Sequence, residues 1–432
     1  MNPFAILLFI SCAILIFKLP RRWVIVPLLI GICYVTKGQG IMLGGLNLQI
    51  FRMLLIAGFI RTFVRGERLP WGLNPIDKLV LAWSVWILFA SFFHEKVDGS
   101  GPEYALGEIL NIAVTYFIFR RLIRNLDDIR AIAKCLPIIL VPVATAMAYE
   151  RVTGFNLFSV FGGVSEIASI RNGDYRASGP FRSYILAGTV GSTCFPLSVF
   201  LFKTHTTRAL LGCGACVIMV LASDSSGPLM SLFFAIGALL LWFKPGLPRL
   251  ARLAAIPAYI MLDIVMYNRP YYLMDKIDLS GGSTGRHRAE LIDKAITYFN
   301  EWWLFGTDYT RHWMRFGVSY SDKHADITNY YIAHGINGGF LLVIFIFLML
   351  YISFAGIGKA YDALTIDQTN DRALIWCMGA SLFAHAATSI SVSYFDQSVV
   401  FFWMTLAICS FIWSYGRQVR DLPAYDKTAN QS

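Results

Sequence analysis

The sequence predicts an all-α, polytopic membrane protein of about 12 to 13 helical spans, with a large outward loop that carries short helices. Two compositional facts and one pattern predict it. Hydrophobic residues make up 56% of the 432, and charged residues only 15%, where a soluble domain carries about 25% charge. Mean hydropathy is +0.57. A chain of this composition cannot cover its apolar surface with polar groups in water. An ordinary soluble enzyme, a disulfide scaffold and a disordered chain are excluded on that ground.

The pattern is a succession of apolar runs approaching or reaching the length that crosses a bilayer, about 17–25 residues. They lie near 4–18, 23–36, 46–64, 77–93, 104–119, 130–149, 183–202, 207–223, 226–243, 250–267, 336–357, 372–390 and 396–415. The first two are short, which leaves twelve spans open. The first run has no positive start and leads into Lys18, Arg21 and Arg22, unlike a cleavable signal peptide. The whole chain reads as one integral membrane domain, 1–432, with outward loops at 151–182 and 268–326.

The net charge of +10 would suggest nucleic acid in a soluble protein. Here its placement gives another cause. Of the 37 basic residues, 22 fall on alternate connections: Lys18 to Arg22, Arg61 to Lys78, Arg120 to Lys134, Lys203 and Arg208, Lys244 to Arg252, Lys359 and Arg372, then Arg417 to Lys427. The positive-inside bias puts those sides in the cytoplasm. The N-terminus is then expected outside and the C-terminus inside, with no nucleic-acid partner.

The eight cysteines all lie in or beside apolar runs. Cys213 and Cys216 form a CxxC on such a run. Small residues in helix packing account for them, and zinc or redox chemistry is the alternative.

Ionisable residues inside apolar runs are functional suspects: Arg52, Glu108, Asp263 and His385. They suggest an outward-opening cavity or internal structural pairing.

Two outward loops are long, and long loops tend to be functional. The first contains RASGPFRSYILAG and the arginines Arg171, Arg176 and Arg182, which suit lipid phosphate or solvent equally. The second balances eight basic against eight acidic residues and holds Trp302, Trp303, Trp313, Tyr271, Tyr272, Tyr298, Tyr309 and Tyr320. Such rings suit a membrane interface or a sugar face. Within it, Gly281, Gly282 and Gly285 precede a helical repeat of Leu291, Ile292, Ala295, Ile296 and Phe299. Arg286 and Arg288 fall in the first turn of that helix. Basic residues there oppose the helix dipole, and free amides plus guanidinium forks attract phosphate. The GK[ST] ending of a nucleotide-binding loop is missing. The loop closes on HADITNYYIAHGING, where His324, Asp326, Asn329 and Tyr330 crowd the return to the apolar phase. A histidine can act as a base near neutral pH.

Three of these patches resemble the O-antigen ligase and O-antigen polymerase superfamily of bacterial surface-glycan assembly. RASGPF matches its R-x-x-G-x-F patch. RAELIDKAITYFNEWWLFG is similar to its R-x-x-[LI]-W-x-x-A…P-x-x-G patch, and HADITNYYIAHGING to its H-[NSQ]-x9-G-x-x-[GTY] motif. Three departures stand out. Ala325 replaces Asn, Ser or Gln. Ile292 replaces Trp. Ser226, in SDSSGPL, occupies the place of a diphosphate-binding arginine, which Arg176, Arg182 or Arg286 would have to replace. These departures look more like an exopolysaccharide-polymerase branch than a ligase.

The resemblance implies a metal-independent, inverting glycosyltransferase of the bacterial inner membrane, without cofactors and with its active site facing the periplasm. Its donor would be a polyprenyl-diphosphate-linked oligosaccharide and its acceptor another glycan. It implies catalytic roles for His324, Asp326 and Arg288. Arg176, Arg182, Arg286, Asn329, Tyr330 and Arg52 would bind the substrate. Chain-length regulator and flippase proteins are the implied partners, with the lipid bilayer around the chain. Transfer of finished glycan to a lipid A core or another acceptor is the alternative. A transporter of lipid-linked or anionic solutes is a second, but it predicts inverted repeats that the sequence does not show.

Overall fold

The computed structural model describes residues 2–43, 46–96, 99–276, 285–315 and 322–421. Gly281, Gly282, Tyr320 and Lys427 lie outside them.

Helix dominates. The N-terminal part runs α1 (Pro3–Lys18), α2 (Ile25–Tyr34), α3 (Ile50–Val64), α4 (Pro75–Ser91), α5 (Gly101–Ile109), α6 (Thr115–Leu122) and α7 (Leu126–Thr153). Then come α8 (Tyr184–Phe200), α9 (Thr206–Ala222), α10 (Ser226–Leu240) and α11 (Leu247–Val265). The second long loop contributes α12 (Gly285–Thr297) and α13 (Phe299–Trp302). The chain closes with α14 (Tyr330–Gly338), α15 (Phe340–Ala363), α16 (Thr369–Thr388) and α17 (Val399–Asp421).

The apolar runs fall largely on helix, except that the run at 46–64 opens on a short strand, Leu46–Gln49, and two others are broken locally. The run at 104–119 contains a π-helical turn at Leu110–Val114. The run at 336–357 is interrupted at Gly339, whose φ of +84° is a conformation that favours glycine. Five helical segments are long and apolar enough to cross a membrane: Leu126–Thr153, Tyr184–Lys203, Ser226–Phe243, Phe340–Ala363 and Asp396–Asp421. Pro3–Lys18, Thr206–Ala222 and Leu253–Val265 are shorter apolar helices.

The all-α expectation needs one correction. Three short antiparallel ribbons occur: β1 (Gly40–Leu43) with β2 (Leu46–Gln49), β3 (Glu95–Lys96) with β4 (Gly99–Ser100), and β5 (Ser169–Arg171) with β6 (Asp174–Arg176). In the third, Asn172 and Gly173 take φ of +52° and +89°. An Asn-Gly pair with both residues left-handed is the tight hairpin turn that matches strand twist.

α17 is the central helix. Every residue from Val399 to Ile412 is buried, and α6, α15 and α16 pack around it. α8 packs on α9, α10 and α16, and α7 on α9. By contrast Leu250, Leu253, Ile256, Met261, Ile264 and Val265 on α11 are all exposed.

Helix starts are specified locally and then used again in packing. Asn74 and Asp77 form a capping box on α4, and Asn125 and Asp128 one on α7. Both carboxylates also hold arginines from other helices: Asp77 Oδ1 lies 3.2 Å from Arg120 Nε, and Asp128 Oδ2 2.6 Å from Arg21 Nη1. Tyr116 and Ser410 donate to the same Asp77 oxygen. One buried carboxylate thus ties α4, α6 and α17 together.

Candidate functional site

The first long loop is held from α7. The Glu150 carboxylate accepts the Ser178 and Gly179 amides at 3.0 and 2.8 Å. Gly179 sits at φ +55°, and Phe181 is buried behind the turn. Arg151 donates to the Tyr175 carbonyl and lies 3.2 Å from Asp174. The Ala177 amide donates to the Ala222 carbonyl at the end of α9. These contacts bring the β5–β6 hairpin to the turn between α9 and α10, where Asp224 is left-handed at φ +44°.

Arg176 ends that hairpin and is buried. Its guanidinium stands 3.5 Å from the centre of the Tyr184 ring, and its Nε has no hydrogen-bond partner. Burial lowers its pKa, Arg171 adds to this, and Tyr184 and Asp224 oppose it. Tyr184 opens α8, whose N-cap is Ser183.

Arg288 reaches the same place from the second loop. It is 8% exposed, and its Nε also lacks a partner. Its Nη2 lies 3.6 Å from the position a β-carbon on Gly227 would take, at the start of α10. Burial lowers its pKa; Asp326 opposes this, Arg171 reinforces it, and Tyr184 opposes it. α10 opens after Ser225 on Ser226-Gly227-Pro228, with no side-chain cap bond from Ser225, and a helix start carries partial positive charge. Two buried guanidiniums, a tyrosine and the positive end of a 15-residue helix therefore lie in one region. That combination suits a multiply charged anion with several oxygens.

Arg286 does not join this cluster. Two residues apart on a helix face different ways. Arg286 is 76% exposed and pairs with Glu290 at 2.8 Å on the outer face of α12. On that helix Leu291 and Ala295 are buried and Ile296 is exposed. Arg182 belongs to a neighbouring group, 3.8 Å from Asp396 and over the Phe395 ring. Lys37 shares that group: burial lowers its pKa, then Arg182, with Asp396 opposing. The start of α10 is thus approached by Arg288, and Arg286 is directed away.

The closing motif is set by Thr310, which is fully buried. Its Oγ1 accepts the Ala325 amide at 3.1 Å and lies 3.3 Å from His324 Nδ1. The backbone carbonyl of Lys323 accepts from the amides of both Thr310 and Arg311. His324 is therefore gripped on Nδ1. Asp326 lies in the field of His287 and Arg288. Burial raises its carboxyl pKa above the ordinary value, and these two neighbours oppose that rise. His287 Nε2 is 3.0 Å from the Asp326 carbonyl.

Three of the expected binding residues have partners within the protein. Asn329 is the N-cap of α14, its side-chain oxygen accepting the Ile332 amide at 3.1 Å. Tyr330 is buried among His334, Tyr394 and Phe402, and its hydroxyl accepts from Trp403 Nε1 at 3.0 Å. Arg52 donates to Asn111 Oδ1 at 2.9 Å and the Asn47 carbonyl at 2.7 Å, beside the π turn, where Asn111 also donates to Glu108. Asp263 pairs with Arg269 at 2.7 Å, and His385 with the Tyr394 hydroxyl at 2.8 Å. For these, internal pairing is the reading that fits.

Tyr184, Thr310 and His287 join the expected residues in this region. Tyr184 sits inside the RASGPFRSY patch and His287 between two arginines, so position in a motif was the available signal. Thr310 lies fourteen residues from His324 with no pattern joining them. No family model and no curated protein matches this chain.

Proposed function

We propose that this protein is a glycosyltransferase of a bacterial inner membrane, polymerising polyprenyl-diphosphate-linked oligosaccharide units on the outer face. The single observation that carries this reading is the approach of buried Arg288 to the start of α10, with buried Arg176 beside the adjoining α9–α10 turn and Asp326 next to Arg288. Two buried guanidiniums with unpartnered Nε atoms fit the oxygens of a diphosphate. The three sequence patches that resemble the O-antigen ligase and polymerase superfamily meet in this same region, which supports the reading further. In it the N-terminus faces out and the C-terminus lies in the cytoplasm.

The chemistry is a single displacement. The acceptor hydroxyl oxygen attacks the anomeric carbon of the donor, and the bond from that carbon to the diphosphate oxygen breaks. The acceptor proton passes to His324. When Nδ1 carries its proton toward Thr310 Oγ1, Nε2 is the basic nitrogen. The charge that develops on the leaving diphosphate is stabilised by Arg288 and Arg176, as preorganised cations do in a low-dielectric site. Asp326 holds Arg288 and His287 in place.

Deletion of the gene followed by analysis of surface glycan tests the proposal. Loss of long chains with single lipid-linked units accumulating is the expected result. Full-length chains left on the lipid carrier would reassign the protein as a ligase. An unchanged glycan would overturn the reading.

A further inference from the structure

A second cationic site lies at the opposite helix ends. A cavity of about 420 Å³ opens between the C-terminal ends of α1 and α3 and the turn before α7. Lys18, Arg21, Arg61, Arg65 and Arg124 line it, and Glu67 is the only carboxylate in that wall. α7 has 28 residues, so this end is about 40 Å from the Glu150 contact. The two sites are separate.

The wall carries more positive charge than its partners neutralise. Arg61 is buried, with a side chain 3% exposed. It bonds Glu67 through Nη1 and donates to the Leu19 carbonyl through Nη2 at 2.9 Å, but its Nε has no partner. Arg21 is held by Asp128 at 2.6 Å and also donates to the Leu122 carbonyl. Lys18, Arg65 and Arg124 are exposed and have no carboxylate partner among the described residues. A helix C-terminus ordinarily repels anions. Here arginines cover carbonyls at the end of α1, Arg61 on Leu19 and Arg65 on Phe17 at 2.7 Å, so the wall presents N–H groups.

We infer that this cavity binds a phosphate group, carried by an anionic lipid headgroup or free in solution. The buried Arg61, fixed by Glu67 and the Leu19 carbonyl, supplies a rigid cationic back wall to the cavity. The exposed Lys18, Arg65 and Arg124 supply the remaining charge at the mouth. A lipid source places the headgroup at the ends of α1 and α3 with its acyl chains along the exposed apolar side chains Ile14, Leu15 and Phe63.

The test uses the full-length protein purified in detergent. Native mass spectrometry measures retention of phosphatidylglycerol against phosphatidylcholine, and thermal unfolding is followed in sodium phosphate against sodium chloride at equal ionic strength. Each is repeated on Arg65→Gln/Arg124→Gln and on a control pair from the C-terminal helix, Arg417→Gln/Arg420→Gln. Selective lipid retention that falls about tenfold in the first pair and not in the control assigns the lipid source. A phosphate-specific rise in Tm that the first pair abolishes assigns the free anion. Neither effect, or an effect that Arg65→Gln/Arg124→Gln leaves intact, overturns the inference. The lipid arm rests on the membrane reading, and the anion arm in detergent does not. Glycan transfer enters neither, so each reading can fail alone.

Discussion

Arg288 Nη2 stands 3.6 Å from where a β-carbon on Gly227 would sit, so residues 61 positions apart meet at the start of α10. The same substituted carbon would meet Val392 Cγ2 at 3.2 Å. Gly227→Leu is therefore expected to displace the guanidinium and abolish polymer formation. Gly227→Ala requires a shift of only a few tenths of an ångström at Val392 and should retain partial activity. Glycan chain length in a deletion strain carrying each variant is the measurement.

Arg286 and Arg288 give a matched contrast. Arg288→Ala should reduce turnover by about 10²–10³, the range seen when one preorganised charge-stabilising group is removed. Arg288→Lys should recover part of this, since charge survives but the fork does not. Arg286→Ala, on the exposed face, is expected to stay within about twofold of wild type, as surface changes away from a site do. Equal loss in both would place the anion site elsewhere.

Thr310 is fully buried, with its hydroxyl 3.3 Å from His324 Nδ1. Thr310→Val keeps the shape and removes the oxygen that faces Nδ1 and receives the Ala325 amide. It is expected to lower kcat more than it raises KM and to shift the acid limb of the pH–rate profile. Thr310→Ser, which restores the oxygen, should recover the wild-type profile. His324→Ala should be inactive while keeping the wild-type Tm.

Asp326 gives a pH dependence of stability with a definite sign. Burial raises its pKa in the folded protein, so its contribution is fully present below the unfolded value and is lost as pH rises through the folded value. Asp326→Asn should flatten the variation of Tm in that acidic window. Tm measured in detergent from about pH 4 to pH 7 checks this, and parallel curves for variant and wild type would falsify it.

Asn329 and Asp77 concern stability, not chemistry. Asn329→Ala removes the cap of α14 and should cost about 1 kcal/mol, with Asn329→Ser restoring most of it. Asp77→Ala strands the Arg120 guanidinium, fully buried beside it, and should cost about 3–5 kcal/mol. Thermal unfolding and the yield of folded protein in detergent compare the two directly.

Much of the helical frame was legible in the chain. Most of the apolar runs fall on helix because periodicity and length are local properties, while the first four residues of the run at 46–64 pair as a strand. The capping boxes at Asn74 and Asn125 and the hairpin at Asn172–Gly173 were equally local. The breaks at the π turn and at Gly339 were not, since they respond to polar contacts at Asn111 and to the carbonyls of Trp303 and Leu304 packed against Gly339. The candidate site was legible only in part. Arg176, Arg288, His324 and Asp326 occupy the expected loops, but Asn329, Tyr330 and Arg52 have structural partners.

The sequence by itself determined a helical chain with apolar segments and basic residues gathered on alternate connections. Composition and spacing suffice for that, because the transfer of apolar surface from water depends on each segment alone. The tertiary structure decided which arginines count. Arg286 and Arg288 are chemically identical and two residues apart, yet one faces outward and the other is buried against α10. Burial and the lowered pKa that follows from it are properties of distant segments brought together, and Arg288 acquires them only when α12 packs against the start of α10 at Gly227.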